Sequence, residues 1–335
     1  MENKCQSILF KKNSILMSNP SYSYKILICE TTSPEQVRTF ISNSFINVFY
    51  EPSYLDLYEE DPFFERESIF TVNRYQIYAS NVQPDYSLFV NYLKNRIEKG
   101  YFAIAHWDQY YLPDSDYYLK NHFDEEHLVY GIDLNKKKVY AFSSSFDARR
   151  DYSVSFKDYF CSNLLFSKSN ITYQFVKYNP EYSSELNLVK IKNDLYDYLK
   201  STCRFYFNVH QERRYGLNAF RYYIARLGSM LTSDNTDITL HTCVICDHIL
   251  LTQIRLQELS SANIIDEQFV NRYNQMSVFK DRIFHISKNL RMDYSESKKK
   301  SLIELLSDYC HQEEEILNSI LPLLQKSIKE GMIKR

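Results

Sequence analysis

The sequence predicts an α+β chain, with a mixed α/β part over about residues 1–180 and an α-helical bundle over 181–335. Three observations carry this. Up to Tyr178, short runs rich in β-branched and aromatic residues alternate with helical patterns. After Asn179-Pro180, apolar residues recur almost only at helical spacing. Between them, residues 102–142 read as strand, long loop, strand, tight turn, strand.

Taken in order, the apolar run from Tyr24 to Cys29 reads as a strand. Ser33-Pro34-Glu35-Gln36 opens a helix, with Ser ahead of Pro at the first helical position. Phe45 to Tyr50 and Ser68 to Ala79 are strand-like. Pro84-Asp85 opens a helix through Leu88, Tyr92, Leu93 and Ile97, which Gly100 closes. The three strands of residues 102–142 follow, and Ile171 to Tyr178 adds one more. In the second part, Leu188, Ile191, Leu195 and Tyr198 share one helical face. Leu217, Phe220, Ile224 and Leu227 share another, ended by Gly228. Residues 242–259 are apolar on most sides, which predicts a central, buried helix. Phe269 to Leu290 keeps a 3–4 spacing. A last helix from Ser295 to Leu321 should break or kink at Pro322.

The bulk numbers exclude several classes. Of 335 residues, 44% are hydrophobic and 24% charged, as expected of a folded chain. Net charge is -2 with no basic stripe, which argues against a nucleic-acid partner. Lys298-Lys299-Lys300 reads as a solvated helical turn. No apolar run reaches the roughly 18 residues of a membrane helix, and no signal-peptide pattern opens the chain. Seven irregularly spaced cysteines fit reduced thiols, so a soluble cytoplasmic protein is expected. The five glycines form no phosphate-cradling loop. With no Gly-x-Ser-x-Gly and no His-Glu-x-x-His, no cofactor or metal is expected.

His127 is the leading candidate for chemistry. It stands at the head of a strand, where a base is held rigidly and a polar group on the next strand can orient it. The competing reading is a structural histidine. His241-Thr242-Cys243-Val244-Ile245-Cys246-Asp247-His248 contains a zinc-like Cys-x-x-Cys, but no second half-site exists. Thiols packed in a buried helix are the better account.

Residues 85–160 resemble the N-terminal family of butirosin biosynthesis protein H, a papain-like (C39-peptidase-like) domain of bacterial natural-product clusters. The matching segments are Ala105-His106-Trp107-Asp108-Gln109-Tyr110-Tyr111, Tyr117-Tyr118 and His127-Leu128-Val129-Tyr130-Gly131. The resemblance implies a papain-like fold for residues 1–180. It also implies an accessory role in nonribosomal-peptide biosynthesis, through cysteine-dependent acyl transfer or peptidase-like chemistry. The partner would be an acyl or peptidyl carrier protein, or a peptide. It further implies His127 as base, an early cysteine as nucleophile and an Asp or Asn as orienting group. In this chain the early cysteine is Cys5, in a poor helical context, and the orienting position falls on Ser143. Cys29, in an apolar strand-like run, is a poorer nucleophile still. The alternative is a catalytically inactive papain-like relative that serves as a binding or scaffold protein.

Overall fold

A computed structural model gives the fold. It describes residues 6–8, 16, 18, 20–44, 46–51, 54–58, 69–78, 87–144, 149–164, 170–179, 181, 185–203, 213–229 and 235–333. In chain order the elements are β1 (Gln6–Ser7), α1 (Pro20–Thr32), α2 (Val37–Asn43), β2 (Asn47–Glu51), β3 (Tyr54–Tyr58), β4 (Phe70–Tyr78) and α3 (Ser87–Glu98). Then come β5 (Phe102–Asp108), β6 (Asp124–Asp133), β7 (Lys138–Ser144), β8 (Arg149–Ser155), α4 (Phe156–Leu164) and β9 (Asn170–Tyr178). The chain continues through α5 (Leu188–Lys200), β10 (Arg214–Tyr215), α6 (Gly216–Ser229), α7 (Asn235–Ser261), α8 (Glu267–Met292) and α9 (Glu296–Ile333). The protein is thus mixed α and β with a helical C-terminal region.

The chain forms two compact units. One holds Met1–Glu35 and Phe63–Ser183, the other Gln36–Pro62 and Ser184–Arg335. Residues 36–62 therefore belong with the helical part rather than with the first 180 residues. The reason is pairing: β2 lies between β3 and β10, and α2 packs on α7.

In the first unit an antiparallel sheet runs β4-β9-β5-β6-β7-β8, with β1 paired to β6. Alternation along the strands sends successive side chains to opposite faces. One face carries Ala103, Ala105, Trp107, Val129, Ala141 and Tyr152, packed with Phe89, Leu93 and Ile97 of α3 and Tyr159 and Phe160 of α4. Helix α1 contacts β6, β7 and β9 without entering this core, which puts it on the opposite face. That helix replaces the strand expected over Tyr24 to Cys29. A short apolar run fits either period, and here Pro20 starts a helix that Ser33-Pro34 ends.

In the second unit α7 is the central helix, with Ile245, Cys246, Ile249, Leu256 and Leu259 all buried. Buried Arg255 donates to the carbonyls of Ser42 and Ser44 at 3.0 and 2.7 Å, satisfying acceptors at the C-terminal end of α2. Gly216 opens α6 at φ +56°, with its Cα against the Tyr198 backbone. Helix α9 does not stop at Pro322 but continues to Ile333. Pro322 and Asn318, whose carbonyl loses its helical donor there, are both exposed, so water can take that donor's place.

Candidate functional site

Strand β6 carries His127 opposite Ala105 of β5, in antiparallel register. The position on a strand beside residues 102–107 is as expected, but the surroundings are not those of a working base. The imidazole is wholly buried. It stacks on Trp107 at 4.6 Å and meets the Tyr152 ring edge-on at 5.1 Å. Its Nδ1 lies 2.9 Å from the carbonyl of Glu125, two residues back on the same strand. Its Nε2 has no hydrogen-bond partner among the described residues, and the nearest carboxylate oxygen, on Glu125, is 3.7 Å away. Burial disfavours the charged ring and pushes its pKa down to about 4.

Glu125 shares this face, because it is two residues from His127. Its carboxylate is buried and takes hydrogen bonds from Ser143 Oγ at 2.7 Å and from Gln109 Nε2. Gln109 in turn accepts from Ser115, whose hydroxyl accepts from the Tyr117 backbone N–H at 3.1 Å. Ser143, expected to orient His127, instead orients Glu125. The pattern of residues 124–130 contained this signal, since a period of two puts Glu125 and His127 on one face. The resemblance directed attention to the histidine alone.

The nucleophile does not come together with this histidine among the described residues. Cys5 lies outside them. Cys29 sits near the C-terminal end of α1, where the helix dipole opposes a thiolate. Burial, with Glu35 and Glu30 nearby, pushes its thiol up to about 12, and its weak contact is to the Ser33 carbonyl. The space between β6 and β7 beyond the Leu128–Phe142 pair is taken by Tyr24 of α1. Its hydroxyl donates to the Glu126 carbonyl at 2.6 Å and accepts from the Ser144 N–H at 3.3 Å.

In the second unit, Cys243 and Cys246 are buried on α7, and the Cys246 thiol is pushed well up by burial. Among the described residues no group of three or more His, Cys, Asp or Glu is arranged to hold a metal. His248 serves another purpose. It joins a buried network around Glu313 of α9, with Nε2 3.2 Å from Oε1. Tyr273 of α8 donates to the same oxygen at 2.7 Å, and Tyr198 of α5 donates to Oε2. One carboxylate thus ties four helices together.

No helix of the described residues is long and apolar enough to cross a membrane. No protein-family model matches the chain, and no curated protein is significantly similar to it.

Proposed function

We propose that the first unit acts by binding rather than by covalent catalysis, as a catalytically silent papain-like relative, and that its partner is a peptide or a carrier protein of a peptide natural-product pathway. The observation that carries the reading is the state of His127: sealed between Trp107 and Tyr152, with a pKa near 4. A base in acyl transfer must reach a thiol and hold a proton near neutral pH. This ring has neither property. The cysteine-dependent acyltransferase reading would rest on Cys5.

The test is labelling of the full chain with a limiting thiol electrophile at neutral pH, with the modified site located by mass spectrometry. Slow labelling spread over several cysteines, unchanged in His127→Ala, is the expected result. Rapid labelling of Cys5 alone, abolished by His127→Ala, would establish the enzyme instead.

A further inference from the structure

The first unit holds a second histidine whose setting is the reverse of His127. Asp108 ends β5 and is almost wholly buried, its side chain 1% exposed. Its Oδ1 accepts the backbone N–H groups of Tyr110 at 3.1 Å and Phe123 at 3.2 Å. Those two bonds close the loop. Oδ2 is left for one further partner, Nδ1 of His122 at 2.6 Å. A carboxylate at that nitrogen holds the proton on Nδ1 and leaves Nε2 as the acceptor. The His122 side chain is 60% exposed, and Nε2 bonds to no described residue.

Two tyrosines stand against this imidazole. Tyr110 stacks on the imidazole at 4.5 Å, and Tyr111 stands tilted at 6.1 Å from it, edge-on to Tyr110. The loop that frames them is well tied. Leu119 N–H bonds the Tyr110 carbonyl at 3.0 Å with Leu119 at φ +52°, and Arg150 bonds the Asp114 carbonyl and Asp116. Tyr117 and Phe123, both exposed, stack on each other in the same loop. Two acidic groups of the loop are paired: Asp116 with Arg150, and Asp124 with His106 of β5. An acceptor nitrogen needs a donor, which an anion is not. A neutral ring carrying an O–H fits both the rings and the waiting acceptor.

We propose that the His122–Asp108 pair, with Tyr110 and Tyr111, is a binding site for a phenol group, whose O–H is accepted by His122 Nε2 while its ring packs on the tyrosines. The inference stands on this geometry alone and does not depend on the reading of His127. The phenol could belong to a small molecule or to a tyrosine side chain of a peptide.

The experiment is a titration of the full wild-type chain, followed through the histidine side-chain carbon–proton NMR signals. The probes are phenol, anisole (the same ring without the O–H) and N-acetyltyrosinamide. The His122 signal, assigned with His122→Gln, should shift saturably with phenol, while exposed His285 and His311 of the second unit stay put. Anisole should bind about fivefold more weakly, the worth of one neutral hydrogen bond. Tighter binding of N-acetyltyrosinamide than of phenol would point to a peptide source, and the reverse to a small molecule. No saturable His122 shift with either phenolic probe, or equal binding of anisole and phenol, would overturn the proposal.

Discussion

Replacing His127 with phenylalanine should abolish a specific acid sensitivity of the first unit. The folded ring is neutral and buried, with its pKa lowered by burial from 6.5 to about 4. In the unfolded chain the ring takes up a proton near 6.5. Between those two values the unfolded state binds more protons than the folded one, so stability falls as pH falls. The loss starts near pH 6.5 and is complete near pH 4. At 1.36 kcal/mol for each tenfold change, the drop amounts to about 3 kcal/mol. Phenylalanine keeps an aromatic ring between Trp107 and Tyr152 but cannot titrate. At pH 7.5 it should cost only about 1 kcal/mol, for the lost bond to the Glu125 carbonyl.

Trp107 is the chain's one tryptophan and stacks on the ring in question, so its fluorescence reports the unfolding of this unit. Urea melts at pH 7.5, 6.5, 5.5 and 4.5 would give the stability of each protein. The wild type should lose stability relative to His127→Phe as pH falls, and the two curves should cross. Carboxylates that titrate in the same range are common to both and cancel in the difference. Parallel curves would refute the account, because they would mean that His127 accepts a proton while folded.

Three further predictions concern the second unit. Glu313→Ala should cost about 3–5 kcal/mol in urea melts followed by circular dichroism, because it strands buried His248 and two tyrosine hydroxyls. Burial pushes the Glu313 carboxyl up, but the His248 charge and the hydroxyl donors outweigh it and hold the group below its usual value. Its stabilisation is therefore present above the unfolded carboxylate pKa and lost as pH falls through the folded one, and a Glu313→Ala melt with unchanged midpoint would contradict this. Gly216→Ala should cost more than about 2 kcal/mol, since a Cβ at φ +56° would strike the Tyr198 carbonyl. Gly228→Ala, with only Ile303 Cδ1 at 4.0 Å, should be neutral or slightly stabilising in the same melts.

What the sequence made legible follows from how long each pattern runs. The C-terminal helices were readable because 3–4 spacing persists over many turns, and a hydrophobic surround marked α7 as central. The hairpin from Asp124 to Ser144 was readable through its alternation and tight turn. The run Tyr24 to Cys29 was not, because six residues, five of them apolar, satisfy either period and Pro20 decides the matter from outside the run. Strand β8 and helix α4 are not legible for a similar reason: both are short, and neither has a sustained pattern of its own. The Glu313 network was invisible in sequence, since Tyr198, His248, Tyr273 and Glu313 meet only after four helices pack. The same holds for the association of residues 36–62 with the helices, which comes from α2 packing on α7 and β2 pairing with the two-residue strand β10.

His127 and His122 of the first unit separate the requirements for a base. A side chain that takes a proton from a ligand must be reachable, must have one nitrogen fixed as acceptor, and must not be penalised for becoming charged. His127 lies on a rigid strand, but its Nδ1 faces a backbone carbonyl and its Nε2 faces the core. The polar groups beside it do not alter this. Ser143 and Gln109 direct hydrogen bonds into Glu125, and Ser115 into Gln109. His122 lies in a loop rather than on a strand, yet a buried carboxylate fixes its Nδ1 and solvent reaches the rest of the ring. In this unit the strand position that draws attention in the sequence serves the core. Of these two imidazoles, the chemically available one is at the loop end, held by the aspartate that terminates β5.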